Sequence, residues 1–207
     1  MPRPDPATPI FETVLGPDFR DLGAIVRRHY SLRPFSRDAV TVRGTMGEVW
    51  HSGLARLLLP MARIAGALVP FRGRNVPIEV HYSARETRPT LHWDRVFHFE
   101  GRVPYHFRSH MEVAGKGEVI EFVRLGIGMR LGVTAEEGAL VFRGRGYLWR
   151  VFGVDIPLPL GLVLGRAYVE ERPATDDAFT MRMTLDHPLA GTLFRYDGRF
   201  TIDATAD

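Results

Sequence analysis

The chain has 207 residues, 45% of them hydrophobic and 25% charged, with 27 Lys and Arg against 24 Asp and Glu and a formal net charge of +3. That is the composition of one ordinary globular domain, and the lack of Cys excludes disulfides, Cys-ligated zinc, iron–sulfur clusters and a thiol nucleophile. Only Lys116 is Lys, the other 26 cations are Arg, Asn75 is the single Asn and Gln is missing; the bias fits GC-rich codon usage rather than nucleic-acid binding, which favours mixed Lys and Arg runs.

Residues 1–10, rich in Pro and without an apolar run, read as a disordered lead-in rather than a signal peptide, followed by one domain over residues 11–207. The longest apolar stretches, 53–70 and 153–165, carry Arg or Pro or are too short for the roughly 20 residues that cross a bilayer. With no transmembrane segment, a cytoplasmic protein is the default expectation.

Pro17 and Asp18, followed by Phe19, Leu22, Ile25, Val26 and His29, predict a helix with an apolar stripe and Asp18 as its N-cap. Residues 40–50 are strand-like. Leu54, Leu57, Leu58, Met61, Ile64, Ala65 and Leu68 then fall at helical spacing, with Arg56 and Arg63 on the polar side and Pro60 expected to kink the helix. This helix has three readings: packing on the sheet, a lid over a barrel mouth, or a membrane-surface helix.

From Asn75 onward the hydrophobic period is two. Strand-like segments recur at 78–82, 91–99, 103–113, 118–124, 128–134, 140–152, 166–171, 179–185 and 192–202, separated by turn residues such as Gly115-Lys116-Gly117 and Glu136-Glu137-Gly138. Strands with no helices between them imply antiparallel meander connections, and a sheet this large tends to curl or close. The expected fold is mainly β with two or three helices (α+β): a large curved antiparallel sheet or β-barrel, with an N-terminal helix and a kinked helix packed on or over it.

A turn at Glu100-Gly101-Arg102 sets a register in which Asp94 faces Arg108 and His92 faces His110. One face of this hairpin then holds Trp93, Phe97, Tyr105 and Phe107 together with two polar intruders, Arg95 and Ser109. A guanidinium among aromatic rings needs a counter-charge, and Glu121, in phase with Val119 and Val123, is the natural partner. The cluster is either a structural ion pair or a polar anchor at the base of an apolar cavity. The opposite face offers His92, Asp94 and His110, two imidazoles and a carboxylate, as a candidate metal set weaker than the reading of a solvated sheet face. His106 and His110 alone are roughly 13 Å apart along a strand and cannot clamp one ion.

Residues 126–132 miss the dinucleotide fingerprint by one position, and no Walker loop, zincin His-Glu-x-x-His or Gly-x-Ser-x-Gly elbow occurs, so no cofactor is implied. Ser109 and the His residues point to opposite faces and do not make a nucleophile pair.

Several segments together resemble the bacterial "domain of unknown function 4166" family. They are Leu15-Gly16-Pro17-Asp18-Phe19 leading to His29, Trp93-x-Arg95-x-Phe97, Phe107-x-Ser109, Glu121-Phe122, Ile156-Pro157-Leu158-Pro159, Glu170 or Glu171, and His187-Pro188-Leu189-x-Gly191 with Tyr196-x-Gly198. The resemblance spans residues 11–202 and implies no assigned chemistry. It does imply a domain often found C-terminal to a saccharopine-dehydrogenase-like NAD(P)-binding domain, hence a dehydrogenase-like protein partner for a stand-alone copy. Arg95, Ser109 and Glu121 fall on matching positions.

The leading functional expectation is a module that binds an apolar small molecule or lipid-like ligand. Trp93, Phe97, Tyr105 and Phe107 would line its cavity, and Arg95, Ser109 and Glu121 would form the polar anchor. The alternatives are a cofactor-free isomerase, cyclase or hydrolase using Glu121 or His29 as acid or base, and an interaction domain with a filled core. The enzyme ranks lower because a carboxylate facing a guanidinium stays ionised and is a weak base.

Overall fold

The computed structural model describes residues 5–66 and 68–202. Its strands are β1 (Ala39–His51), β2 (Gly73–Arg85), β3 (Arg88–Phe97), β4 (Tyr105–Gly115), β5 (Glu118–Phe122), β6 (Ile127–Glu136), β7 (Ala139–Val151), β8 (Val154–Leu158), β9 (Arg166–Pro173), β10 (Ala178–His187) and β11 (Gly191–Ile202). All pairings are antiparallel, and β11 returns to β1, so β1–β7 and β9–β11 close into a ten-stranded barrel. Closure gives every wall strand two neighbours, so that among the described strands β8, paired with β7 alone, keeps a free edge. The β3–β4 register is the one expected from sequence, with Asp94 opposite Arg108 and His92 opposite His110.

The wall divides at β7. Its residues Leu140–Arg143 pair with β9, whereas Tyr147–Val151 pair with β8. The change follows a bulge opposite Arg130 and Leu131, and a Cβ on Gly144 would lie 2.9 Å from the Ala167 nitrogen, so a side chain there would push the strands apart. The β7–β8 hairpin therefore leaves the barrel wall and leads into the short α4 helix (Gly161–Leu164).

Connections in a meander alternate between the two ends. One end is plugged by the N-terminal segment, which forms helix α1 (Ile10–Leu15), a 3-10 turn (Gly16–Asp21) and helix α2 (Ala24–His29). This corrects the single helix capped by Asp18: Asp18 lies inside the 3-10 turn and makes no capping bond. Gly16 at φ +63° and the break before α2 let the chain bend across the barrel end, which one straight helix could not cover. The stripe itself is as expected, since Phe19, Leu22, Ile25, Val26 and His29 are all buried. Phe11 packs 4.5 Å from the Tyr30 ring, and burying each such side chain contributes about 1.5–3 kcal/mol. Backbone bonds from Gly117 to Val14 and from Gly23 to Gly138 tie the plug to two barrel turns. Ahead of α1, Asp5 and Thr8 close a turn; the rest of the expected lead-in, residues 1–4, lies outside the described residues.

The other end is the mouth. Helix α3 (Ala55–Ala65), with Pro60 inside it, joins β1 to β2 there. Its apolar stripe divides: Leu54, Leu57 and Ile64 are 52%, 75% and 68% exposed, whereas Leu58 lines the outer cavity and Leu68 is buried; the side chains of Met61 and Ala65 lie outside the described ones. With α4, four α-helices lie among the described residues, against the two or three expected. No helix among the described residues is long and apolar enough to cross a membrane.

Candidate ligand cavity

Alternation along β3, β4 and β5 turns Arg95, Ser109 and Glu121 into the barrel. Arg95 Nη2 donates to Glu121 Oε1 at 3.1 Å and Nη1 to Ser109 Oγ at 3.0 Å, while Ser109 Oγ donates to the same Glu121 oxygen at 2.6 Å. The guanidinium also lies 4.2 Å from the Trp93 ring centroid and 4.9 Å from that of Phe107, a geometry that stabilises a desolvated cation. Burial opposes the Arg95 charge, but Glu121, with smaller contributions from Tyr196 and Tyr82, more than offsets it, and the Arg95 pKa is raised. The pair is therefore neutral as a unit.

A second polar cluster sits toward the plug. His29 is fully buried, with Nε2 2.7 Å from Glu171 Oε2 and Nδ1 3.0 Å from the Ile25 carbonyl. Tyr30 donates its hydroxyl to Glu171 Oε1 at 3.1 Å. The carbonyl only accepts, so Nδ1 carries a hydrogen; the short contact at Nε2 then holds one further proton shared with the carboxylate. Whichever atom bears that proton, His29 and Glu171 together are neutral. Burial and then Glu171 push the Tyr30 phenol well above its ordinary range, burial does the same at Tyr82, and it pushes Tyr196 up to about 12. All three phenols remain hydrogen-bond donors at neutral pH.

Two neighbouring spaces meet these clusters. An inner cavity of about 70 Å³ is lined by Trp93, Arg95, Glu121, Glu171, Tyr82 and Tyr196 among others. An outer cavity of about 370 Å³ opens toward the mouth, between Leu58 of α3, Val163 and Leu164 of α4, Val123 and Tyr147. Leu68, Phe107, Glu121, Met129 and Met183 border both. The outer volume is that of a small-ligand site; the inner one has room for a polar group or a few water molecules. Trp93 Nε1 is buried with no hydrogen-bond partner among the described residues, an omission that costs about 1–3 kcal/mol unless an acceptor meets it.

The residues expected to bind ligand thus divide. Trp93, Arg95, Glu121 and Phe107 line cavity space, and Ser109 is buried against Arg95 and Glu121. Phe97 does not: it is fully buried core, stacked 6.0 Å from Phe99. Tyr105 is also outside the lining, held by a bond to the Leu68 carbonyl and an edge contact with Phe71. Of the two acid–base candidates, Glu121 borders both cavities, whereas His29 stands behind Glu171 and lines neither.

The candidate metal set does not converge. Asp94 is held by Arg108 Nε at 2.9 Å and His106 Nδ1 at 2.9 Å, and His92 is bound to Thr90 Oγ1 and stacked on His110. Among the described residues no group of three His, Asp or Glu could hold an ion. Two contributors were not among the expected site residues, although Glu170 or Glu171 stood among the positions that carry the family resemblance. Glu171 carried the same signal as Arg95, a charge in phase with Ala167 and Val169; the α4 residues carried none, because their position depends on β8 leaving the wall.

The Bacillus subtilis (strain 168) protein YndH, described as uncharacterized, is 23% identical to the chain over 164 residues, 76% of this chain and 80% of YndH. The family model described as a domain of unknown function, DUF4166, matches residues 22–200, nearly the whole barrel together with α2. A match of that extent is decisive for family membership: the chain belongs to the DUF4166 family.

Proposed function

We propose that the barrel binds a neutral, mostly apolar small molecule carrying one polar group. The observation that carries this reading is the outer cavity of about 370 Å³, apolar except at its base, where Glu121 borders both spaces. The apolar body would occupy the outer cavity. Its hydroxyl or carbonyl group would reach the inner one, where Glu121 accepts and Trp93 Nε1 or a tyrosine donates.

Charge balance sets the ligand class. Arg95 is already neutralised by Glu121, and His29 with Glu171 is neutral as a pair. An ionised fatty carboxylate would therefore add a buried charge without a partner, a cost of several kcal/mol (roughly). This narrows the expectation that Arg95 with Ser109 holds a polar head group: the guanidinium already donates to Ser109 and to Glu121. A cofactor-free enzyme is the weaker reading, because His29 does not reach the cavity.

Native mass spectrometry of the purified chain tests the proposal, together with titration by a neutral fluorescent sterol or alcohol and by a fluorescent fatty acid. The expected result is uptake of the neutral probe in preference to the acid. Val163→Trp, at a half-exposed position of the lining, should block uptake with little change in melting temperature. A clean apo mass with no uptake of either probe would overturn the reading.

A further inference from the structure

From the surface around the mouth, we infer that this end of the barrel docks on an anionic lipid bilayer. The large exposed hydrophobic residues are not scattered. Leu54, Leu57 and Ile64 lie in or beside α3, Leu125 in the β5–β6 connection, Phe152 and Val154 at the β7–β8 hairpin, Leu162 and Val163 in α4, and Leu189 in the β10–β11 turn. Val103, in the β3–β4 connection, is 83% exposed and belongs to the same end. Strand alternation places every one of these connections at the mouth and none at the plugged end. Direct contacts join them: the Trp149 indole donates to the Leu125 carbonyl, His187 bonds the Leu162 carbonyl, and Gly66 packs on Arg124. A patch built from six separate connections around one opening is a surface for contact, since a soluble monomer gains nothing from exposing it.

Charge selects the occupant. The mouth connections carry Arg56, Arg63, Arg72, Arg102 and Arg124 against Glu100 and Asp155, and Arg150 already holds Asp155. At the plugged end the barrel turns carry Glu86, Glu137, Asp176 and Asp177 against Lys116, with Glu86 held by Arg37, and the plug segment balances Arg20, Arg27, Arg28, Arg33 and Arg37 with Asp5, Glu12, Asp18, Asp21 and Asp38. An apolar rim interleaved with arginines suits the boundary between acyl chains and anionic head groups, where guanidinium groups remain at the phosphate level while leucines enter the apolar layer. The acidic opposite end would point to solvent. A second copy of this chain fits less well, because a face-to-face pair would set Arg56, Arg63 and Arg124 against their own copies with few carboxylates to meet them.

The inference concerns the rim and stands apart from what the cavity holds. Flotation of the full chain with phosphatidylcholine vesicles, and with vesicles also containing phosphatidylglycerol, tests it. Binding is expected to the mixed vesicles and to weaken as salt rises. Leu57→Glu with Leu162→Glu, both at exposed positions, should abolish flotation, and Arg56→Ala with Arg63→Ala should lower it on the order of tenfold. Melting temperature and uptake of the neutral probe from solution serve as controls and should be unchanged in both variants. Absence of flotation by a folded, probe-binding protein overturns the inference and leaves the cavity reading intact. Flotation without probe uptake supports the rim and counts against the cavity. A concentration-dependent dimer broken by the Leu57 and Leu162 changes, with no vesicle binding, would overturn the bilayer in favour of self-association.

Discussion

His29 Nε2 lies 2.7 Å from Glu171 Oε2, although 142 positions separate the two residues, and the other ring nitrogen faces a carbonyl. The pair joins the plug helix α2 to β9 in the barrel wall and has a testable proton count. Glu171→Gln should be tolerated: the amide NH₂ can donate to a neutral His29, and its oxygen can still accept from Tyr30. Glu171→Leu leaves the imidazole and phenol without a buried partner and should cost about 1–3 kcal/mol. Urea unfolding of the two variants checks this, and equal losses would contradict the shared-proton arrangement.

The Arg95 cluster should behave as a coupled unit. Arg95→Met leaves Glu121 buried beside an apolar side chain and should destabilise by about 3–5 kcal/mol. Adding Glu121→Leu removes the stranded carboxylate, so the double variant should recover much of that loss. A double-mutant cycle from denaturant midpoints decides, and strictly additive losses would show the residues to be uncoupled.

Acid should destabilise the protein in two stages. Burial, followed by the charges of Arg85, His110 and Arg88, lowers the His92 pKa from 6.5 to about 4. Between these values the unfolded chain binds more protons than the folded one, so stability falls as pH drops from about 6.5 toward 4. Glu112, held from 4.5 down to about 2 by the neighbouring His110 and then by Arg150, acts with the same sign in the lower window. His92→Phe retains a ring to stack on His110 and should flatten the upper stage while leaving the lower one. Melting temperature measured against pH for both proteins is the check.

Gly165 sets the position of α4 over the outer cavity. Its φ is +75°, and a Cβ there would lie 2.1 Å from the Asp186 carbonyl oxygen. Gly165→Ala should therefore cost about 1–3 kcal/mol in strain. It should also displace Leu164 and Val163, reducing probe uptake more than Gly161→Ala, whose Cβ meets open space.

Much of the cavity base was legible because β alternation is strict. One charge in phase with aromatic residues identified Arg95, the same rule gave Glu121 as its partner, and both meet at 3.1 Å. The hairpin register was legible for the same reason, since a slip by one residue would turn the aromatic face outward. Phe97 and Tyr105 have the correct phase but sit too near the strand ends to line the cavity, which phase alone does not report. His29 was legible as buried but not as paired, because its partner lies 142 positions away on β9.

Sequence by itself determined that this protein is an antiparallel β structure with a polar group inside an apolar face, because a period of two and an intruding charge are local facts. Only the tertiary structure decided that the sheet closes, that His29 meets Glu171, and that α3 and α4 frame a cavity with their leucines exposed. Closure brings together strands distant in sequence, and a helical apolar stripe has the same spacing whether it faces a core, a cavity or a surface. The net charge of +3 likewise concealed a separation that the fold makes visible, with arginines gathered at the mouth and carboxylates at the opposite turns.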